Sequence, residues 1–405
     1  MTPAARQIVF INTAHTFTHY SLLILPTAVL AMAAPGGLFG EAYGPILALA
    51  TGMFVLYGLL SLPQGWLAQR VGRKPLMTAF FLGTGLCLIA SAFAPGPWIL
   101  AATLGGVGVF TAIYHPIGTT MLVEAAGDKP GRSIGVNGVF GNIGVALAPV
   151  VTAFMAAQFS WRAAFLVPGL LCTVVGLLWV RTPIVGGPAH RGARPFPTIP
   201  RALVRRAVLV LMLIAASSGL VFNAFTLLLP KLMQERLADT PNLLPVVGAL
   251  AFLATLCGAL TQFTVGRLID KHTLKRVFLP ISMVLAPAMA ALSVAQGWLV
   301  LPLAGAVAAS IFGQVTVNET MAARYISPEL RARIYSVRFF VGFLGAAASA
   351  PVVSFLHERT GNLTAVTLVL AAFSVVTLAC ALFFPDRKEE LAPELWAEAL
   401  PVAAE

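Results

Sequence analysis

The chain has 405 residues, of which 58% are hydrophobic and only 10% are Asp, Glu, Lys or Arg, against roughly 25% charged in ordinary soluble proteins. A soluble surface at this length needs far more charge, so soluble enzymes and disordered scaffolds are excluded and an all-α integral membrane protein is expected. The balance is basic, 26 Lys and Arg against 15 Asp and Glu, a surplus that fits either nucleic acid or a membrane surface.

A bilayer core of about 30 Å takes roughly 20 apolar residues per helix. Twelve such runs follow one another: 8–33, 43–68, 76–94, 98–124, 133–157 and 161–181, then 207–230, 243–269, 277–296, 298–323, 333–356 and 363–384. The first follows Arg6 and contains Ala31, Met32 and Ala33, an A-x-A match to a signal-peptide cleavage site. Its length, together with His15 and His19, argues for a retained span. Cys87, Cys172, Cys257 and Cys380 each stand alone in an apolar run, so they read as core residues and offer neither metal spacing nor a disulfide framework.

With both termini cytoplasmic, 21 of the 26 basic residues fall on the inner side; only Arg162, Lys231, Arg236 and Arg359 fall outside, and Arg338 lies within a span. That asymmetry is the positive-inside rule. The stretch 182–206, dense in Gly, Pro and Arg, reads as a cytoplasmic linker between six-helix bundles at 1–181 and 207–384, and 385–405 as an acidic cytoplasmic tail. The halves repeat: Trp98, Met121 and Pro149 recur as Trp298, Met321 and Pro351, and Gly65, Leu67 and Arg70 recur as Gly266, Leu268 and Lys271, at offsets of 200 to 202. Parallel repeats of this kind place a transporter's substrate site between two pseudo-symmetric bundles.

The loop after the second run, with Gly65, Leu67, Ala68, Gln69, Arg70, Gly72, Arg73 and Lys74, resembles the signature loop of the major facilitator superfamily. Its second copy, Gly266, Leu268, Ile269, Asp270, Lys271, Lys275 and Arg276, follows the eighth run. The resemblance covers essentially residues 8–384 and implies the major facilitator fold of twelve transmembrane helices in two bundles. It also implies a cytoplasmic latch in which the loop acid caps a helix end and the arginines pair with nearby acids. Asp270 keeps the acid whereas Gln69 replaces it, so one latch should be weaker. Glu124 is the expected partner of Arg73. Ordinary positive-inside loop charge is the blander account of the same residues. More narrowly, Gly106, Gly108, Tyr114, His115 and Pro116, followed by Gly138, Asn142, Gly144 and Pro149, resemble the fosmidomycin resistance branch, which exports small drugs against protons.

Charge at membrane depth costs about 2.5–3.5 kcal/mol per residue and usually serves a purpose. Glu319 and Arg338 are the two formal charges well inside spans. As an ion pair, Glu319 takes a proton and Arg338 binds an anionic group of the substrate; the competing readings are a fixed structural pair and a snorkelling Arg338. Asn12, His15 and His19, at i, i+3 and i+7, share one helix face, and His115 can meet them from a facing helix as a further proton carrier. The same imidazoles can instead only bond neighbouring helices, or ligate a metal; no Asp, Glu or Cys of the first half supports the metal, and none is assigned. Tyr114, Asn142, Asn223, Gln314 and Asn318 complete the expected substrate contacts, with Asn137, Gln262, Phe222 and Phe225 as weaker ones.

No Walker loop is present, so ATP does not drive the protein directly. The expected function is therefore proton-coupled efflux of a small drug-like or anionic solute. The alternatives are proton-coupled uptake of a small organic anion, and a non-transporting membrane assembly or sensor protein. No enzyme activity and no cofactor are expected. The expected partners are a small-molecule substrate, protons and membrane lipid. The basic surplus lies on the inner surface, in a multi-pass protein of a bacterial-type inner membrane, and requires no nucleic acid. The family resemblance implies a monomer.

Overall fold

A computed structural model describes residues 1–126, 130–185, 197–238, 243–392 and Trp396. Lys129, the linker residues 186–196 and the tail residues 393–395 and 397–405 lie outside the described residues, as do the side chains of Arg132, Arg331 and Arg333. Twelve described helices are long and apolar enough to cross a membrane. They are α1 (Pro3–Met32), α2 (Tyr43–Ser61), α3 (Arg73–Ala92), α4 (Pro97–Ala126), α5 (Ser133–Gln158) and α6 (Trp161–Val180). The second six are α7 (Arg201–Arg236), α8 (Leu243–Ile269), α9 (Leu274–Val294), α10 (Gly297–Tyr325), α11 (Val337–Thr360) and α12 (Thr364–Phe383).

The departures from the expected boundaries have local causes. Proline supplies several, because it lacks an N–H and clashes with the preceding turn. α1 breaks at Leu23, three residues before Pro26. α2 stops at Ser61, ahead of Pro63, so 64–68 leave the span and join a separate short helix, Gln64–Val71. That helix ends on Gly72 at φ +87°, a left-handed turn that glycine adopts without strain; it lets Arg73 begin α3. α7 runs six residues beyond the apolar stretch at each end. The helix that contains α11 begins at Pro328.

The most consequential break lies in α4. Residues Tyr114–Gly118 form a π-helical turn around Pro116, which cannot donate to the regular ladder. A π turn carries an extra residue per turn and commonly marks a functional site. Here it brings Tyr114 and His115 to the same side of the helix as the α1 histidines.

Two compact units are distinguished. The first comprises α1–α6 together with 224–253 and 346–363, the end of α7, the start of α8 and the end of α11. Its core includes Phe80, Phe81, Tyr114, Met121 and Trp179, and Gly248 of α8 packs on the α5 backbone at Pro149 and Val150. Within it, Glu235 holds the end of α11 in place: it accepts from the backbone N–H of Leu363 at 3.2 Å and pairs with His357 at 2.7 Å. Exposed Leu170, Leu171, Val174, Leu177 and Leu178 give α6 an apolar outer face, as lipid contact requires.

The second unit holds the remainder of α7–α12 around Phe278, Met321, Tyr325 and Phe384. Part of the acidic tail belongs to this core. Trp396 is buried against Tyr325, with ring centroids 5.9 Å apart. Glu390, its side chain 0% exposed, accepts from the backbone N–H of Leu274 at the start of α9 and from the Tyr325 hydroxyl, with Arg324 3.8 Å away. Asp386 accepts from Thr273 and pairs with Arg276 at 3.4 Å. Carboxylates at a helix start meet unsatisfied N–H groups and the positive end of the helix dipole.

The two acids respond to pH in opposite senses. The Thr273 hydrogen bond holds Asp386 below the ordinary carboxylate range, while burial pushes Glu390 above it. The Glu390 contribution is complete below the ordinary carboxylate value and fades as pH rises through its raised one; that of Asp386 is lost as pH falls through its lowered one. Glu390 is the more buried, so tail docking weakens toward alkaline pH. Glu390→Ala leaves two donors unmet and costs about 1–3 kcal/mol, read as faster hydrogen exchange at the Leu274 amide. Glu390→Gln keeps most of the protection and flattens its pH dependence. Identical exchange in all three proteins would refute the cap.

Candidate functional site

Among the described residues, each unit carries a polar cluster within its spans. In the first, α1, α4 and α5 converge. Asn137 of α5 donates to Asn12 Oδ1 at 2.9 Å and its Oδ1 accepts from the Tyr114 hydroxyl at 3.0 Å. Its backbone carbonyl accepts from His15 Nδ1 at 2.7 Å. His19 Nε2 lies 3.1 Å from His15 Nε2. His115 stands edge-on to both, 5.3 Å and 5.5 Å between ring centroids, and the His15 ring stacks on Tyr114 at 4.8 Å. All three histidines are partly buried, whereas Asn12 and Asn137 are buried. The asparagines are therefore the enclosed members of the cluster, tying α5 to α1 and α4.

Glycine allows the approach. A Cβ on Gly144 would lie 2.4 Å from the Thr16 carbonyl oxygen, and one on Gly141 would lie 2.6 Å from the His15 ring. Thr16 in turn donates to the Phe140 carbonyl at 2.8 Å. Asn142, five residues beyond Asn137, projects about 140° away from it around α5.

In the second unit, Arg338 Nη1 donates to Glu319 Oε1 at 2.6 Å. Arg338 is 14% exposed and Glu319 47%. A cavity of about 230 Å³ beside the pair is lined by Ser218, Phe222, Asn223, Gln314, Asn318 and Arg338. Ser218 donates to Gln314 Oε1 at 3.2 Å, and Asn223 donates back to the Gly219 carbonyl of its own helix at 2.7 Å. Gln314 Nε2 and Asn318 Oδ1 are buried without a hydrogen-bond partner among the described residues. A buried unmet donor and acceptor cost about 1–3 kcal/mol each, and a polar ligand or water in the cavity would satisfy them.

The loop residues are placed as follows. Arg73 donates to Glu124 in an ion pair. Arg70 lies over the Trp66 ring, 3.9 Å from its centroid. Gln69, Asp270 and Lys271 are exposed, and a Cβ on Gly65 or Gly266 would meet nothing within 4 Å. Sequence reasoning missed the role of Asn137 as the hub of the first cluster and that of Glu390 at the second loop. An acid in the tail was a usable signal, since α9 starts with unpaired N–H groups. Nothing in the sequence singled out Asn137 over Asn142.

A family model described as "Major Facilitator Superfamily" matches residues 16–255 and 242–404. The chain is 31% identical over 160 residues to the gallate transporter of Pseudomonas putida, a stretch covering 38% of this chain and 35% of that protein. It is 25% identical over 234 residues to the multidrug resistance protein MdtG of Rahnella sp. (strain Y9602), covering 55% of each. It is also 25% identical over 232 residues to a probable sugar efflux transporter of Helicobacter pylori (strain ATCC 700392 / 26695), covering 56% of this chain and 57% of that one. The chain thus spans about a third to a little over half of the length of these relatives. Among solved structures, a D-xylose-proton symporter superposes with a TM-score of 0.76 at 12% identity, over 94% of this chain and 98% of that one. A bacterial homologue of the human lysosomal transporter Spinster, inward-facing and unoccupied, superposes with a TM-score of 0.69 at 13% identity over the full length of both. These likenesses concern the fold.

Proposed function

We propose a function from one premise: the chain belongs to the Major Facilitator Superfamily. That family consists of membrane transporters and not of enzymes. Within it, the protein moves a small organic solute across the inner membrane by alternating access, coupled to protons, in the direction of efflux. It acts as a monomer with both termini cytoplasmic, its basic loops on the anionic inner surface.

The observation that carries this reading is the Arg338–Glu319 pair at the edge of a polar cavity. A guanidinium presents planar, paired donors that match a carboxylate or phosphonate. Cargo that engages Arg338 competes with Glu319 for the guanidinium, and Glu319 is the residue that takes the proton. Exchange of one anion for the other then links binding to protonation. Gln314 and Asn318 supply a donor and an acceptor for the rest of the cargo. The efflux direction rests on relatives named for multidrug resistance and sugar efflux.

Uptake of a small organic anion is the second reading; the gallate transporter among the relatives supports an organic-anion cargo. The histidine cluster is a second place where a proton can reside.

Flux of gallate and of a phosphonate drug in proteoliposomes, under an imposed pH gradient of either sign, tests the proposal. Glu319→Gln should abolish gradient-driven flux and retain counterflow exchange. Undiminished gradient-driven flux in that variant would remove Glu319 from coupling. The sign of the effective gradient separates efflux from uptake. Absence of flux and of solute-dependent thermal stabilisation for every compound would favour an assembly or sensing role.

A further inference from the structure

The three imidazoles of the first cluster have a geometry that the Arg338–Glu319 reading does not use. His15 and His19 stand at i and i+4 on α1, so one ring lies above the other on a shared face. His115 joins them from the π turn of α4. One ring nitrogen from each lies within 4.8 Å of the other two.

The tautomer of His15 follows from its partner. Its Nδ1 is 2.7 Å from the Asn137 carbonyl oxygen, and a carbonyl oxygen only accepts, so Nδ1 carries the proton and Nε2 the lone pair. That lone pair lies 3.1 Å from His19 Nε2. A metal-ligating histidine shows this pattern, one ring N–H given to a backbone carbonyl and the other nitrogen aimed at the ion. The ring is held on two further sides, stacked on Tyr114 at 4.8 Å and resting on Gly141.

We infer that His15, His19 and His115 bind one divalent transition-metal ion of the zinc, cobalt or nickel type, with a fourth position open to an anion. Imidazole suits these ions, whereas magnesium and calcium take oxygen ligands. Two nitrogens 3.1 Å apart, each about 2.0–2.1 Å from a zinc ion, subtend roughly 100° there, close to the tetrahedral angle. Side-chain rotation of His115 brings in the third nitrogen by about 1–2 Å. Three neutral ligands leave the ion with its full double charge at membrane depth, where uncompensated charge is costly. An anionic fourth ligand, hydroxide or an organic carboxylate or phosphonate, lowers that cost. Three protein nitrogens with one open position also distinguish working zinc sites from closed structural ones.

The test uses the full-length protein without a polyhistidine tag, purified in detergent and stripped with a chelator. Cobalt(II) is titrated in while its visible absorption is followed, and zinc(II) binding is measured by calorimetry. The expected result is one ion per chain, with the intense colour of four-coordinate cobalt and a spectral change on adding azide. His15→Gln, His19→Gln and His115→Gln should each weaken binding at least about 100-fold, and Gly141→Ala, which displaces the His15 ring but removes no ligand, about 10-fold. His272→Gln, an exposed position outside the spans, should bind as the parent does. Size-exclusion profiles matching the parent show that the variants are folded, and Gly141→Ala carries the test if a histidine variant is not. Absence of saturable binding at one ion per chain, or binding undisturbed by replacing all three histidines, overturns the site and leaves a proton-sharing cluster. A cobalt spectrum indifferent to azide overturns the open position.

Discussion

Arg338→Ala is expected to reduce transport of an anionic solute at least about 100-fold, a loss of roughly 2.7 kcal/mol of interaction. Two effects add. The cavity loses its guanidinium, the group that pairs with a carboxylate or phosphonate. Glu319 loses the donor 2.6 Å from its Oε1. With Glu319 about half exposed, the stability cost stays near 1–2 kcal/mol, so the protein should remain folded and the defect should be one of transport. Arg338→Lys separates the contributions. It keeps the positive charge but replaces a planar fork with a point donor, and should restore thermal stability more fully than flux. Calorimetric binding and proteoliposome flux of the same anion provide the measurement. Parent-level flux in Arg338→Ala would show the pair to be a structural fastening of α10 to α11.

The second large effect is steric. Gly144→Leu should prevent recovery of monodisperse protein, and Gly144→Ala should destabilise by about 1–3 kcal/mol, the usual cost of overpacking. The contact is with the Thr16 backbone carbonyl, at 2.4 Å from a newly built Cβ. Backbone cannot rotate out of the way as a side chain can, so α1 must move off α5. Moving α1 also stretches the Asn137–His15 and Asn137–Asn12 hydrogen bonds. Gly138→Ala is the matched control two turns away, where a Cβ meets nothing within 4 Å; it should be neutral or slightly stabilising, since alanine is the better helix former. Thermal unfolding in detergent, monitored by size exclusion after heating, reads the contrast. Equal behaviour of the Gly138 and Gly144 variants would refute the close α1–α5 approach.

The spans were legible in the sequence because a bilayer imposes a length and a composition that nothing else in the chain satisfies. The ends of α7 were not. Arg201, Arg205 and Arg206 at one end, and Lys231, Glu235 and Arg236 at the other, interrupt the apolar run while helix propensity continues through them. The site shows the same division. Charge at membrane depth is rare, which singled out Glu319 and Arg338, and helical spacing put His15 and His19 on one face. That His115 can meet them from a facing helix was also legible, but the π turn at Pro116 that presents it was not, since a proline in a span announces a break without saying what form it takes. Gln314 and Asn318 stood out as polar residues of a span and thus as expected substrate contacts, but the sequence does not say which of their atoms lack partners. Their buried, unpartnered atoms emerge only when α10 is packed against its neighbours.

Docking of the tail has a consequence for how the second unit is made. Trp396 shares a core with Ile199, Leu274, Tyr325 and Phe384, and Glu390 completes the start of α9. A ribosome adds about 5–20 residues per second, so roughly 10–40 s separate the synthesis of Ile199 from that of Trp396. From the synthesis of Leu274 until that of Glu390 the start of α9 has no carboxylate to meet it, and the apolar surface that Trp396 covers stays open until the end of the interval. Glu390 and Trp396 follow α7–α12 in the chain, so docking of this segment comes after all six helices have been made and completes the second unit late.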